Sequence, residues 1–160
     1  MSLLAALAGG FAGTLVLTTV LRAATELHLT RMDLPFLLGT ALTRERTAAK
    51  ALGYAAHFLV GLAFAVGYHA LFAVVGRHDW WLGALFGLVH GLFAGTVLIN
   101  VLLPLVHPRM GNPMDDATSV ALLEAPGFLG RNYGPQTATV TLVAHVLYGI
   151  VVAAFLGQTR

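Results

Sequence analysis

The chain has no cysteine and few charged side chains, and both absences narrow its chemistry. Without cysteine it cannot form disulfides, thiolate-held iron–sulfur clusters or covalently attached haem. Charged residues make up only 10% of its 160 residues, whereas apolar residues make up 58%. A soluble domain of this size needs far more charged surface. The composition therefore predicts a membrane protein, with the lipid bilayer as its first partner.

Common enzyme signatures are missing as well. The sequence contains no Gly-rich phosphate loop, no HExxH and no GxSxG motif. Its basic residues are not interleaved with aromatic side chains, so nucleic acid is not expected as a partner. These absences leave open whether the protein is an enzyme.

Long apolar runs are what the sequence does contain. A membrane-spanning helix needs about 20 mostly apolar residues, and four such stretches occur: Leu3–Leu21, Ala51–Val75, Trp80–Val106 and Thr137–Leu156. The sequence therefore predicts an all-α fold, a transmembrane four-helix bundle that forms a single domain over residues 1–160.

The basic residues predict an orientation for this bundle. Seven of them fall in the two long loops and the adjacent helix ends, and only two, Arg77 and Arg160, fall on the opposite side. Because basic loops stay in the cytoplasm, we expect a multi-pass protein of the cell inner membrane with both long loops cytoplasmic and both termini outside.

A repeated tetrapeptide marks an internal duplication. "FAGT" occurs at 11–14 and again at 93–96. In each copy 17 residues separate its threonine from a Met-Asp pair, which contains Asp33 in the first copy and Asp115 in the second. An aspartate that precedes an apolar helical stretch is a typical N-cap, so each Asp also predicts a short amphipathic or re-entrant helix after it.

The match continues into the second helix of each copy. "AAHFLVG" (55–61) corresponds to "VAHVLYG" (143–149), which pairs His57 with His145. The sequence therefore predicts two parallel helical-hairpin repeats, residues 1–76 and 80–160. Because each copy has two spans, both enter the membrane from the same side, and a pseudo-twofold axis should run along the membrane normal.

Four histidines fall within the predicted spans. His69 is near the outer end of the second span and is expected to reach the headgroups, which leaves His57, His90 and His145 deeper in the membrane. Ionisable side chains at such depth are expensive and usually functional. The alternative is that a neutral imidazole only holds helices together by a hydrogen bond. The candidate partners for such a bond are polar residues within the predicted spans: Thr14, Thr18, Thr96, Asn100 and Thr141. His107 follows the third span, and we expect it to be solvated at the interface.

The membrane histidines suggest a cofactor site. Haem b can be held by two imidazoles on different helices, provided that small residues such as Gly53, Gly61 and Gly149 leave room for its ring. A transition metal is the second possibility, with His57, His145, Asp33 and Asp115 as ligands and His90 as a further candidate. A proton or ion relay through the same His and Asp side chains is the third.

Four stretches resemble a family of small bacterial four-helix integral membrane proteins described as a domain of unknown function. They are "MDLPFLLGT", "GALFGLVHGLFAG", "APGFLGRNYGP" and "AHVLYG", and they occur in the family's order over almost the whole chain. The family pattern has Gly before the last-helix His, where this chain has Ala144. The resemblance implies the four-helix membrane fold and the importance of these His and Asp positions, and it implies no activity.

A different class of function also fits the sequence. The third span carries a ridge of small residues at four-residue spacing: Gly83, Gly87, Gly91 and Gly95. Such ridges let helices approach closely within a membrane. The ridge could therefore join this chain to a homo-oligomer or, as an accessory subunit, to a larger membrane complex.

Overall fold

The structure, a computed structural model, describes residues 2–110 and 123–158. Four of its helices are long and apolar enough to cross a membrane: Leu3–Glu26, Arg46–Val75, Trp80–Val106 and Thr137–Gly157. The first continues past the predicted end at Leu21, and the second begins at Arg46 instead of Ala51. The described part of the chain contains no strand, only one isolated bridge. The predicted all-helical bundle with four candidate spans is confirmed.

Six α-helices make up the described chain, together with a π-helical and a 3₁₀ segment. In chain order they are α1 (Leu3–Glu26), α2 (Leu34–Leu42), α3 (Arg46–Val75), α4 (Trp80–Phe93), the π-helix (Ala94–Leu102), α5 (Leu103–Val106), the 3₁₀ helix (Phe128–Tyr133) and α6 (Thr137–Gly157). The third span is thus one continuous rod built from α4, the π-helix and α5.

Helix α2 is the short helix predicted after Asp33. The Asp33 carboxylate accepts a hydrogen bond from the backbone N–H of Phe36 at 3.1 Å and so acts as the N-cap. Pro35, in the first turn, has no N–H that would need a partner there. The matching helix predicted after Asp115 lies outside the described residues, as does Asp115 itself.

Glycines bring two pairs of helices into backbone contact. A Cβ atom placed on Gly53 of α3 would lie 1.6 Å from the carbonyl oxygen of Pro35 in α2. On α6, a Cβ on Gly149 would lie 2.0 Å from the carbonyl oxygen of Gly83 in α4. No side chain fits at either position, because the neighbouring backbone already occupies the space.

Helix α1 packs between α3 and α6. A Cβ on Gly10 would lie 2.4 Å from the Ala65 side chain of α3, and one on Gly13 would lie 2.9 Å from the Tyr148 ring of α6. The small residues of "FAGT" therefore serve close packing.

Helices α3 and α4 meet only through side chains. Their backbones hardly approach each other, and aromatic rings fill the space between them. Phe64 stacks on His90 with ring centroids 3.8 Å apart, and Phe86 packs against Phe72 at 5.1 Å. The predicted pseudo-twofold axis would make the α3–α4 pair equivalent to α1–α6, yet only α1 and α6 pack closely along their backbones.

The third span changes from α-helical to π-helical winding after Phe93. Nine residues, Ala94–Leu102, form a π-helix, and the Asn100 side chain donates to the Gly95 carbonyl at 2.8 Å. Pro104, two residues after the π-helix, has no N–H to continue regular α-helical bonding. π-Helical turns are rare in proteins, and those that occur frequently lie at functional sites.

The α2–α3 contact generates a test. We expect Gly53→Ala to lower the free energy of unfolding by about 2 kcal/mol or more, because the added methyl displaces the α2 backbone. Gly67→Ala, on the same helix, is the matched control, since a Cβ there meets nothing within 4 Å. It should leave stability unchanged or raise it by up to about 1 kcal/mol. Reversible unfolding in detergent micelles measures both, and equal effects would contradict the contact.

Candidate functional site: a histidine-lined cavity

A cavity of about 490 Å³ lies on the side of the bundle where α3 and α4 stand apart. Residues from all six helices and the π-helix line it. From α2 come Leu34 and Leu38, and the π-helix contributes Ala94, Leu98 and Ile99. Small-molecule sites are typically apolar clefts of roughly 300–1,000 Å³ with a few polar groups. The size and lining of this cavity therefore match those of a ligand site.

The cavity brings together the three histidines that the sequence singles out. His57 comes from α3, His90 from α4 and His145 from α6, and all three line it. His57 is 8% and His145 is 7% exposed, while His90 is half-buried. Histidines from three helices thus meet in one apolar space, although they are far apart in sequence.

The tautomer of His145 follows from its hydrogen bond. Its Nδ1 lies 2.7 Å from the backbone carbonyl oxygen of Thr141. A carbonyl oxygen can only accept, so Nδ1 carries the proton and donates it. In the neutral ring, Nε2 is then left with its lone pair. Gly87 and Gly91 of α4 face this residue and allow its backbone to approach.

His90 lies in an aromatic cluster. It stacks on Phe64 and meets the edge of His145, whose ring centroid lies 4.7 Å away at an interplanar angle of 81°. The Tyr68 hydroxyl is 3.5 Å from its Nδ1. Tyr68 is not among the residues that the sequence pattern indicated. Its four-residue spacing from Phe64 could have indicated that both rings share one face of α3.

His57 has a buried nitrogen without a partner. Its Nε2 is shielded from solvent and makes no hydrogen bond. The same side chain also lines a second, much smaller cavity, which it shares with Asp33 and Tyr54. The structure thus places Asp33 near His57, although the Asp33 carboxylate already caps α2.

The polar residues suggested as histidine partners mostly bond within their own helices. The hydroxyls of Thr14, Thr18 and Thr96 each donate to the carbonyl four residues earlier. The Asn100 amide likewise bonds within the third span. Of the five candidates, only Thr141 bonds to a membrane histidine, and it does so through its backbone carbonyl.

Of the three glycines expected to make room for a haem ring, Gly61 lines the cavity, although the Thr14 side chain occupies the place of a Cβ there. The Pro35 backbone fills the space beside Gly53, and the Gly83 backbone fills the space beside Gly149. For these two the expectation was wrong, because helix packing in lipid uses them for close approach. The open space lies beside α3, the π-helix and α5.

The described residues contain no group of three or more His, Cys, Asp or Glu side chains arranged to hold a metal ion. His57, His90 and His145 share the cavity without converging on one point. Asp115, a predicted ligand, falls outside the residues that the structure describes.

His107 is buried, and the expectation that it is solvated at the interface was wrong. It is 3% exposed. Its Nε2 lies 3.1 Å from the Leu37 carbonyl oxygen, and its Nδ1 accepts from the Arg109 backbone N–H at 3.2 Å. The Arg109 guanidinium donates to the Thr43 carbonyl at 2.7 Å. These bonds tie the end of the third span to α2, which forms part of the cavity wall.

The fold and the cavity define an all-helical membrane-type bundle with a buried site lined by three histidines. Comparison with models of protein families, with curated proteins and with solved structures found no match. The class therefore rests on the geometry alone.

The buried position and hydrogen bonds of His107 predict that the stability of the fold depends on pH. Burial lowers its pKa most, and the charge of Arg109 lowers it further, while the bond to Leu37 opposes them. Because the unfolded chain, with a His pKa of about 6.5, then binds the proton more readily, acidification below about pH 6.5 should reduce stability.

His107→Gln isolates this contribution, since an amide can still donate to Leu37 but does not titrate. The melting temperature in detergent should fall less for the variant than for the wild type between about pH 7.5 and about pH 5.5. The other histidines are common to both proteins and cancel in the comparison. Identical pH profiles would show that His107 does not contribute.

Proposed function

We propose that this protein binds a cofactor within the membrane and that the imidazoles of its cavity hold it. The observation that carries the proposal is that His57, His90 and His145 line one apolar cavity. His57 and His145 are buried and His90 is half-buried, and the Nε2 of His57 is left without a protein partner. A buried polar atom without a partner is destabilising unless a ligand satisfies it.

Haem b is the first cofactor that we propose. His145 supports it, because metal-ligating histidines usually donate their other ring N–H to a carbonyl or carboxylate, as His145 does to Thr141. Bound haem would supply one-electron redox chemistry, and the protein would position it and exclude water.

His57 and His145 would hold the haem. Both residues are buried, and they are the pair that the proposed duplication makes equivalent. The ring centroids of His90 and His145 lie 4.7 Å apart, edge to face, so His90 would flank the cofactor.

A transition metal is the second cofactor that we propose, with His57, His145, Asp33 and Asp115 as ligands. It ranks below haem because it needs more than two protein ligands, while the Asp33 carboxylate is engaged as the N-cap of α2. It therefore requires a rearrangement that bis-histidine ligation of haem does not.

The internal duplication and the family resemblance also remain our proposals. The tight α1–α3 and α4–α6 pairs support two related hairpins. The competing function, an accessory subunit that binds a partner through the Gly83–Gly95 ridge, has less support. That ridge is covered within the chain, by α6 at Gly83, Gly87 and Gly91 and by Leu129 at Gly95. A homo-oligomer would have to use another face.

The absorption spectrum and metal content of the purified protein test the proposal. We expect a Soret band or one metal ion per chain, which His57→Ala and His145→Ala should each abolish. His28→Asn is the matched control, because His28 is exposed at positive φ, which Asn tolerates. Protein with neither haem nor stoichiometric metal would overturn the imidazole-ligation proposal.

We further propose that the loop between α2 and α3 is cytoplasmic and that the N-terminal end of α1 is outside. Since the chain has no cysteine, a single introduced cysteine is the only thiol that a maleimide can label, and its labelling reports the side of the membrane on which it lies. In intact cells an impermeant maleimide should label Ser2→Cys, whereas Thr47→Cys should react only after permeabilisation. Neither change removes a basic residue that sets orientation. The opposite labelling pattern would contradict this topology.

A further inference from the structure

The described lining of the cavity that we propose as the ligand site carries no charge. None of the lining residues that the structure describes is Asp, Glu, Lys or Arg. The polar side chains among them are imidazoles and hydroxyls, and the others are apolar. A ligand with a charged head group would lose its hydration there without gaining a counter-ion. The lining therefore favours a neutral head group.

Two polar atoms in this lining are buried and unpartnered. They are Nε2 of His57 and Oγ1 of Thr141, in residues that are 8% and 4% exposed. Thr141 is unusual among the helical threonines, because several others donate their hydroxyl to the carbonyl four residues earlier: Thr14, Thr18, Thr19, Thr25 and Thr96. Both residues line the cavity, so a ligand bound there can supply the missing hydrogen-bond partners.

Part of the cavity lining is exposed and apolar. Val60 of α3 and Leu102 of the π-helix are each 45% exposed, and Leu105 and Val106 of α5 are 76% and 74% exposed. All four line the cavity. Because these residues belong to candidate spans, their exposed surface faces lipid. The cavity thus communicates sideways with the bilayer, between α3 and α5.

We propose that the cavity binds a neutral-headed amphiphile that enters from the bilayer. Its head carries a carbonyl or hydroxyl oxygen that bonds to Thr141 and His57, and its apolar chain passes out between Val60 and Leu105. An isoprenoid quinone and an acyl glycerol share this chemistry. This inference rests on the proposed function only in taking the cavity as a ligand site. It competes with haem b, whose carboxylates would meet no cationic side chain among the described lining residues.

The test uses two neutral probes and one charged probe. Protein stripped of lipid in detergent is titrated with a short-chain prenyl benzoquinone, with a diacylglycerol and with a fatty acid, and the rise in melting temperature reports binding. We expect at least one neutral probe to stabilise the protein and the fatty acid, at a pH where it is ionised, to have little effect. Which neutral probe binds identifies the source. Tighter binding of the fatty acid, or binding of none, would overturn the proposal.

Thr141→Val tests the head-group contact. It removes a hydroxyl that has no protein partner, so the stripped variant should be at least as stable as the wild type. Its affinity for the bound probe should fall roughly threefold to tenfold, as expected for the loss of one hydrogen bond. Thr19→Val is the control, since Thr19 is exposed on α1 and does not line the cavity. Equal affinities of the two variants would contradict the contact.

Val60→Trp tests the lateral entrance. A large side chain there should slow loading from probe-containing vesicles, whereas Val74→Trp should not. Val74 is on the same helix, is 87% exposed and does not line the cavity. Equal loading rates would contradict entry between α3 and α5. A Soret band without neutral-probe binding would overturn this inference and leave the proposed function standing. Binding of a neutral probe by protein that has neither a Soret band nor stoichiometric metal would support the inference and overturn imidazole ligation.

Discussion

Backbone contact at glycine is the constraint on which the rest of this structure depends. Within lipid, apolar surface gains little by packing against other apolar surface, so helices associate where small residues allow their backbones to touch. Here the α2 backbone packs directly against Gly53, and the α4 backbone packs directly against Gly149. Because these close contacts join α2 to α3 and α4 to α6, they leave α3 and α4 apart. The cavity lies on that open side.

The same constraint places the histidines. His145 packs against Gly87 through its backbone and against Gly91 through its Cβ. These contacts bring the His145 ring to the edge of His90. His57 reaches the cavity from α3, where α1 packs through Gly10 on the next turns. Helix packing therefore fixes the positions of the imidazoles. The hydroxyl of Thr141 and Nε2 of His57, in contrast, have no hydrogen-bond partner in the described protein. An apolar cavity with two such atoms is more typical of a ligand site than of a structural core.

The predictions that were wrong share one cause, which is that burial was judged from neighbours in sequence. His107 comes directly after a span, a place where solvation by headgroups is expected, yet α2 covers it and Leu37 accepts its hydrogen bond. Gly149 was expected to open space for a cofactor, yet the Gly83 backbone fills that space. In both cases the residue that decides the outcome lies on another helix, at least 45 positions away in the chain.

The sequence by itself determined the elements: the four apolar spans, the Asp33-capped helix α2 and the three histidines at membrane depth. These follow from local composition, because the length of an apolar run and the capping of a helix depend on adjacent residues. Only the tertiary structure decided that the cavity lies beside α3 and α4, that His145 bonds to the Thr141 carbonyl and that the Gly83–Gly95 ridge is covered within the chain. Those features depend on which helices touch, and similar glycine spacings on several helices allow more than one pairing.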